Sequence, residues 1–294
     1  MPLPIKSFRS PRENLYNYLM IAIGLTCWLG LVRHAFNKAP ILNIPQLQKP
    51  WLMILLALYV LMCMLGWLYR ATAFGNMTLL SETQCPKLYQ MIKDGALQLG
   101  LKEVPIAFLY NSNGLLNAFA RRMWGGNYIF LTSALVDATD DEQVRFVIGH
   151  ELGHIAAGHI DTIANFIKFP AHFTPFLGKA YSRAREYTCD AIGAHLANNE
   201  KASCQALQVL GCGCKRFSLA IDTQAFAAQE YQVPAVAGFI HEILSTHPRL
   251  TRRVLAIIDR KRSTPLDIAD MPAYKIEFPA GSTQAERPKG FADV

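Results

Sequence analysis

The chain has 294 residues, enough for one large domain with an appendage or for two small domains. It carries 29 Lys and Arg against 22 Asp and Glu, a formal charge of +7. No dense basic run with interleaved aromatics accompanies that excess, so a nucleic-acid partner is not expected, and contact with anionic lipid headgroups is the simpler use of the charge. Seven cysteines are an odd number, and two of them fall in long apolar runs. That excludes a disulfide framework and points to free thiols in a reducing compartment.

Residues 1–13 form a polar, proline-bearing lead. Residues 14–70 hold two charge-free runs, "NLYNYLMIAIGLTCWLGLV" and "PWLMILLALYVLMCMLGWLY". Each is about 20 residues, the length that crosses some 30 Å of hydrocarbon as a helix. Trp28, Trp51, Trp67, Tyr16, Tyr18 and Tyr69 sit in or near the ends of these runs, where amphipathic rings favour the interface. The first run is too long for a signal peptide and has no small-residue cleavage site after it. The runs are therefore expected to be a two-helix transmembrane anchor, which returns the chain to its starting side. Lys6, Arg9, Arg12 and Arg70 flank that side, while Arg33, Lys38 and Lys49 flank the other. This slight bias favours a cytoplasmic main domain.

The domain is expected to span residues 71–262. Apolar spacing predicts a helix from about Pro86 to Leu99, ended by Gly100. "VPIAFLY" has strand composition, and "LLNAFA" and "NYIFLTSAL" read as two strands joined around "RRMWGGN". Thr139 and Glu142 have capping-box spacing for a helix through residue 155. Further helices are expected over 180–198, 201–217 and 247–262. Between them, 160–179 is apolar but broken by Asp161, Lys168, Pro170, Pro175 and Lys179, which suits a surface loop or a membrane-dipping amphipathic segment. Residues 263–294 lack periodicity and are expected to be a loosely ordered tail.

The chemistry is concentrated in "HELGH". His150 and His154 are four apart on a helix, so both can offer a ring nitrogen to one ion. Glu151 lies about 100° round the helix. It is poorly placed to bind the same ion but can take a proton from a water on it. A third ligand is needed. His159 and Gly158 do not have the spacing of a third histidine in metzincins, and a continuing helix would aim His159 elsewhere. Glu186, on the helix over 180–198, can complete a His, His, Glu set with one position open; a salt bridge with Arg183 or Arg185 is its alternative use. Asp190 lies one turn on and can hold the far nitrogen of a ligand histidine. Cys189 reads as packing, because a fourth protein ligand would close the site.

With "LNAFARR", "YIFLTSAL", "FVIGHELGHIAAGH", "SRAREYTCDA" and "STHPRLTRR" in this order, the chain resembles the membrane-bound gluzincin peptidases that include the HtpX heat-shock protease and the CAAX prenyl protease. It is closer to the HtpX type. The resemblance implies an α+β fold, mainly helical with a small sheet: a zincin-like domain behind two membrane helices, holding one Zn2+ per chain. By position it implies that His150, His154 and Glu186 are ligands, Glu151 the general base and Asp190 the partner of a ligand. It further implies that His247 steadies an oxyanion, that Arg253 organises the site, and that Asn117, Ala118 and Phe119 form a strand edge for an extended peptide. Arg121 and Arg122 stand where the family often has small residues. The insert between the site helices is also shorter than the paired membrane helices of HtpX-type proteins. The implied function is a membrane-anchored zinc endopeptidase of the bacterial inner-membrane type, acting on polypeptides in membrane-protein or stress-related quality control. A catalytically silent zinc-binding scaffold and prenyl-protein processing are the competing readings.

Overall fold

In the computed structural model, residues 3–38, 45–123, 126–218 and 220–261 are described. The expected tail at 263–294 lies outside them. The helices are α1 (Pro11–Lys38), α2 (Pro45–Asn76), α3 (Pro86–Gln98), α4 (Ser133–Ala138), α5 (Asp141–Ala156), α6 (Thr162–Lys168), α7 (Leu177–Ala197), α8 (Glu200–Cys212), α9 (Lys215–Ser218), α10 (Thr223–Ala228), α11 (Ala235–Leu244) and α12 (Leu250–Lys261). Four strands, β1 (Thr78–Leu79), β2 (Ile106–Tyr110), β3 (Ala118–Met123) and β4 (Gly126–Thr132), form one mixed sheet in the order β1-β2-β4-β3. β2 and β4 run parallel, the other pairs antiparallel, and β3 is left at an edge. The fold is thus mainly helical with a small sheet, as expected.

α1 and α2 contain apolar stretches, Pro11–Arg33 and Leu56–Asn76, with only 11% and 6% of their windows buried. A core helix of that hydropathy would be covered by protein; these are bare, as a bilayer-crossing helix is. The C-terminal end of α2, past the charge-free run that closes at Tyr69, lies on the sheet. Alternation along β4 sends Tyr128 and Phe130 to that face, against Ala73 and Tyr69, and Ile129 and Leu131 to the helical core. The lead before α1 also packs on the domain: Phe8 is buried in the helical core and the Leu3 amide donates to the Gln98 carbonyl, 2.9 Å. Lead and domain therefore lie on one side of any bilayer that α1 and α2 cross.

Several elements differ in detail from expectation. The capping box of α5 is one residue later than predicted. Asp140 accepts from the Glu142 and Gln143 amides, and Gln143 reaches back to the Asp140 amide. Thr139 instead donates to the Leu135 carbonyl, closing α4. β3 runs on through Arg121 and Arg122, so its hairpin with β4 is tighter than the sequence suggested, and "SAL" belongs to α4. α12 begins at Leu250, two residues past the proline expected to start it. β1, α10 and α11 were not anticipated.

α5 and α7 pack against each other more extensively than any other pair of elements. Glycines permit the approach. A Cβ built on Gly193 would lie 2.7 Å from the Phe146 carbonyl oxygen and 3.1 Å from the His150 nitrogen, and one on Gly149 would lie 2.9 Å from the Gly193 Cα. Gly193→Ala is therefore expected to destabilise the fold by about 1–3 kcal/mol, the usual cost of overpacking. Thermal unfolding in detergent checks this: the apparent Tm should fall for Gly193→Ala and not for Gly30→Ala, where a Cβ meets nothing within 4 Å.

Candidate metal centre

α5 is buried along nearly its whole length and presents His150, Glu151 and His154 to α7. The Nε2 of His150 lies 3.6 Å from Glu186 Oε2, and the Nε2 of His154 lies 3.6 Å from Glu186 Oε1. Donors on a tetrahedral zinc, each about 2.0 Å from it, stand about 3.3 Å apart. Both histidine–glutamate separations come close to that spacing. His247, on the turn before α12, is exposed and brings its Nε2 to 3.9 Å from Glu186 Oε2.

The far ring nitrogens are engaged elsewhere. His150 Nδ1 lies 2.9 Å from Asp190 Oδ1. Arg253 closes on Asp190 through two hydrogen bonds of 2.7 and 2.8 Å, and its Nη1 stands 3.6 Å from Glu186 Oε2. Burial alone would raise the Asp190 pKa, but this guanidinium and His150 hold it down to about 2. His154 Nδ1 lies 3.1 Å from Nδ1 of His159, whose Nε2 lies 3.0 Å from Glu13 Oε1. If Nε2 of His154 carries no proton, its Nδ1–H donates to His159, and the Nε2–H of His159 donates to Glu13. Burial pulls the His154 pKa well down, which keeps the ring neutral as ligation requires.

His159 thus departs from its expected aim. It is 2% exposed and turned back to the site, neither at the surface nor simply packed. The cause is the end of α5. Gly158 adopts φ +75°, the His159 amide donates to the His154 carbonyl and the Gly158 amide to the Ile155 carbonyl. That Schellman ending reverses the chain. A glycine straight after the last helical turn was the available signal. Glu13 gave none, since it lies in the first turn of a membrane helix. It is fully buried, pairs with Arg9 and accepts from the Thr188 hydroxyl.

Glu151 is 6% exposed, and burial pushes its pKa up to about 7, with the charge of Glu186 adding to the rise. The backbone of Ala120 on β3 hydrogen-bonds to it and opposes that shift. Asn117, Ala118 and Phe119 line the same cavity of about 550 Å³ as His150, Glu151, His154, Glu186, His247 and Arg253. Asp190 lies behind the ligand side chains. Arg183 and Arg185 do not take Glu186 as their partner: they donate to the carbonyls of Ser245 and His159.

His150, His154 and Cys189 also have donor atoms within 4.8 Å of one another. Burial, reinforced by the charges of Glu186, Glu151 and Asp190, pushes the Cys189 thiol well above its ordinary pKa. The sulfur also lies 3.5 Å from His159 Nδ1. Glu186 is the alternative donor, with one carboxylate oxygen 3.6 Å from each of the two Nε2 atoms. A donor set of two imidazoles and a carboxylate is of the kind that holds catalytic zinc.

The chain is similar to several known proteins. A "Protease HtpX homolog" from Paraburkholderia phytofirmans is 26% identical over 224 residues, covering 62% of this chain and 76% of that protein. One from Burkholderia mallei is 26% identical over 228 residues, covering 63% and 78%. The crystal structure of S. mikatae Ste24p superposes with a TM-score of 0.49 at 15% identity, over 84% of this chain and 66% of that one, just under two thirds of its length. The sequence profile of peptidase family M48 matches residues 82–172 and 161–261. These stretches run from α3 through both helices of the centre to α12, and they show that this chain, with its two apolar helices, is a membrane metallopeptidase belonging to peptidase family M48.

Proposed function

We propose that the protein is a zinc-dependent endopeptidase that hydrolyses peptide bonds of polypeptides presented close to the bilayer. The supporting observation is the meeting of two imidazole Nε2 atoms on the two oxygens of one buried carboxylate, 3.6 Å each, beside Glu151. His150, His154 and Glu186 would hold the ion. When bound, zinc supplies Lewis-acid polarisation of a carbonyl and acidifies a water to a pKa of about 7.

The chain's own groups do the rest. Glu151 accepts the proton of the attacking water on its carboxylate and delivers it to the leaving amine. His247 is exposed at the cavity mouth, and its Nε2 donates to the oxygen on which negative charge develops. β3 is the open edge of the sheet and lines the cavity, so a substrate strand adding along Asn117, Ala118 and Phe119 passes over Glu151. Asp190 fixes the ring of His150 directly, and Glu13 fixes that of His154 through His159. Arg253 holds Asp190 and Glu186 in place from α12. The slight excess of basic residues in the lead and at Arg70 supports a cytoplasmic side for this face. Membrane-protein or stress-related quality control is the role that suits a site so placed.

Glu151→Gln is expected to lower peptide hydrolysis in detergent by about 10²–10⁴-fold while zinc stoichiometry stays unchanged; equal turnover would remove Glu151 as the base. In Glu186→Ala, metal analysis should find the zinc lost, whereas a full complement would transfer the third position to another donor such as Cys189. Glu13→Gln should weaken zinc binding by about 10–100-fold in chelator competition, the usual effect of losing a ligand's hydrogen-bond partner. Unchanged affinity would detach Glu13 and His159 from the metal site.

A further inference from the structure

Between the two helices of the centre the chain makes a detour through α6 and the 3-10 turn Phe169–Phe173. This detour lies against α1. The Trp28 indole N–H donates to the Phe166 carbonyl, 3.1 Å, and the two rings stack with centroids 4.6 Å apart. Gly24 meets the backbone at Ile167 so closely that a Cβ would stand 2.0 Å from its carbonyl oxygen. Met20 is fully buried with Ala171 and Tyr181. Asn17, Met20, Gly24 and Trp28 form one stripe of α1, and all lie in the charge-free run between Glu13 and Arg33. From Asn17 to Trp28 the axis rises about 16 Å at 1.5 Å per residue, about half of the roughly 30 Å hydrocarbon layer.

The side of the detour facing away from the protein is mostly apolar, with Thr162 and His172 its exposed polar residues. Ile163, Phe166, Phe169 and Phe173 are 73%, 60%, 55% and 77% exposed, and Phe176 continues the patch. Its one lysine does the opposite: Lys168 is 2% exposed, donates to the Tyr181 hydroxyl at 2.9 Å and to Asn17 Oδ1 at 3.3 Å, and sits over the Tyr181 ring. A surface helix in water turns its charge outward and its phenylalanines inward. Three polar groups on the detour and at its edge are met from within, while Thr162 and His172 are exposed. Asp161 accepts from the Ala164 amide, Asn165 donates to the His159 carbonyl, and Trp28 takes the Phe166 carbonyl. Internal satisfaction of this kind is what a hydrocarbon environment demands.

We infer that residues 162–176 form a re-entrant element inside the lipid layer beside α1, with Ile163, Phe166, Phe169, Phe173 and Phe176 on acyl chains. The element enters after Asp161 and leaves at Leu177. Both chain ends that bear on the centre, the close of α5 and the start of α7, are thereby seated on the bilayer, and the metal centre lies at its surface. Substrate reaches the site as a segment emerging from the membrane.

The test uses the full chain in phosphatidylcholine–phosphatidylglycerol vesicles and two photoprobes, a phospholipid carrying a diazirine midway along one acyl chain and a water-soluble diazirine. Adducts are located by peptide mass spectrometry. Phe166, Phe169 and Phe173 are expected to take the lipid probe as strongly as Leu25 and Leu29 of α1, and to escape the aqueous probe that labels exposed Leu115. Lipid labelling confined to α1 and α2, with the aqueous probe on Phe166 and Phe173, overturns the inference. Protection from both probes, as a second copy seated on the patch would give, also overturns it. The readout needs neither metal nor turnover, so it stands or falls separately from the peptidase assignment.

Discussion

The centre depends on how closely α5 and α7 can approach. Three of the donors stand on these two helices, and the gap between the helices is set by hydrogens where side chains would otherwise be. Gly149 faces Gly193, and Gly153 faces the Cys189 backbone. This small-residue seam puts the Glu186 carboxylate between the Nε2 atoms of His150 and His154. Donors about 3.3 Å apart suit one tetrahedral ion, and that tolerance is smaller than the width of a methyl group. The seam is therefore a geometric condition on the chemistry as well as a packing feature. It also explains why Cys189 comes so near the histidines: its backbone is part of the seam, and its sulfur fills the space beneath them.

Around the seam, the buried charges are arranged in two unequal arms. His150 is backed by Asp190, which Arg253 clamps with two hydrogen bonds, so that carboxylate stays ionised without help from a metal. His154 is backed by His159 and then by Glu13, which pairs with Arg9 at the start of α1. Glu151 has no hydrogen-bonded cation, and burial, with the charge of Glu186, carries its pKa up to about 7. The carboxylates behind the two histidines are thus held by cations, while Glu151, the proposed base, sits near the pH where it can both accept and give up a proton. The second arm has a structural consequence: a residue of the first membrane helix lies two hydrogen bonds from a candidate ligand.

Much of this was legible in the sequence because it is local. The four-residue spacing of His150 and His154, and of Glu186 and Asp190, needs only helical periodicity, and α3, α5, α7 and α12 follow from apolar spacing and caps. What escaped needed chain reversal or tertiary company. His159 seemed misdirected because the helix was assumed to continue, whereas Gly158 ends it and folds the ring back. Asp140 displaced Thr139 as the cap because α4 ends just before it and takes the Thr139 hydroxyl. Glu13 looked like the polar margin of a membrane helix, and only the packing of the lead on α7 buries it. α11 is short and largely apolar, with Val236, Phe239, Ile240 and Leu244 exposed, and periodicity alone does not separate such a segment from a buried loop.

The same limit applies to the boundary between anchor and domain. In sequence the division falls where the apolar runs stop. In the fold, α2 continues past its charge-free run to cover one face of the sheet, and the lead before α1 fills the other side of the core with Phe8, on which Arg260 of α12 lies at 4.9 Å from the ring centroid. Both membrane helices thus enter the domain as structural members, one through the sheet that carries the substrate edge and one through the polar network behind His154. A peptidase hung from a flexible tether would sample many heights above the bilayer. One whose membrane helices are packed into its core holds its cleft at a fixed depth, and the distance from the lipid at which a chain can be cut becomes a property of the fold.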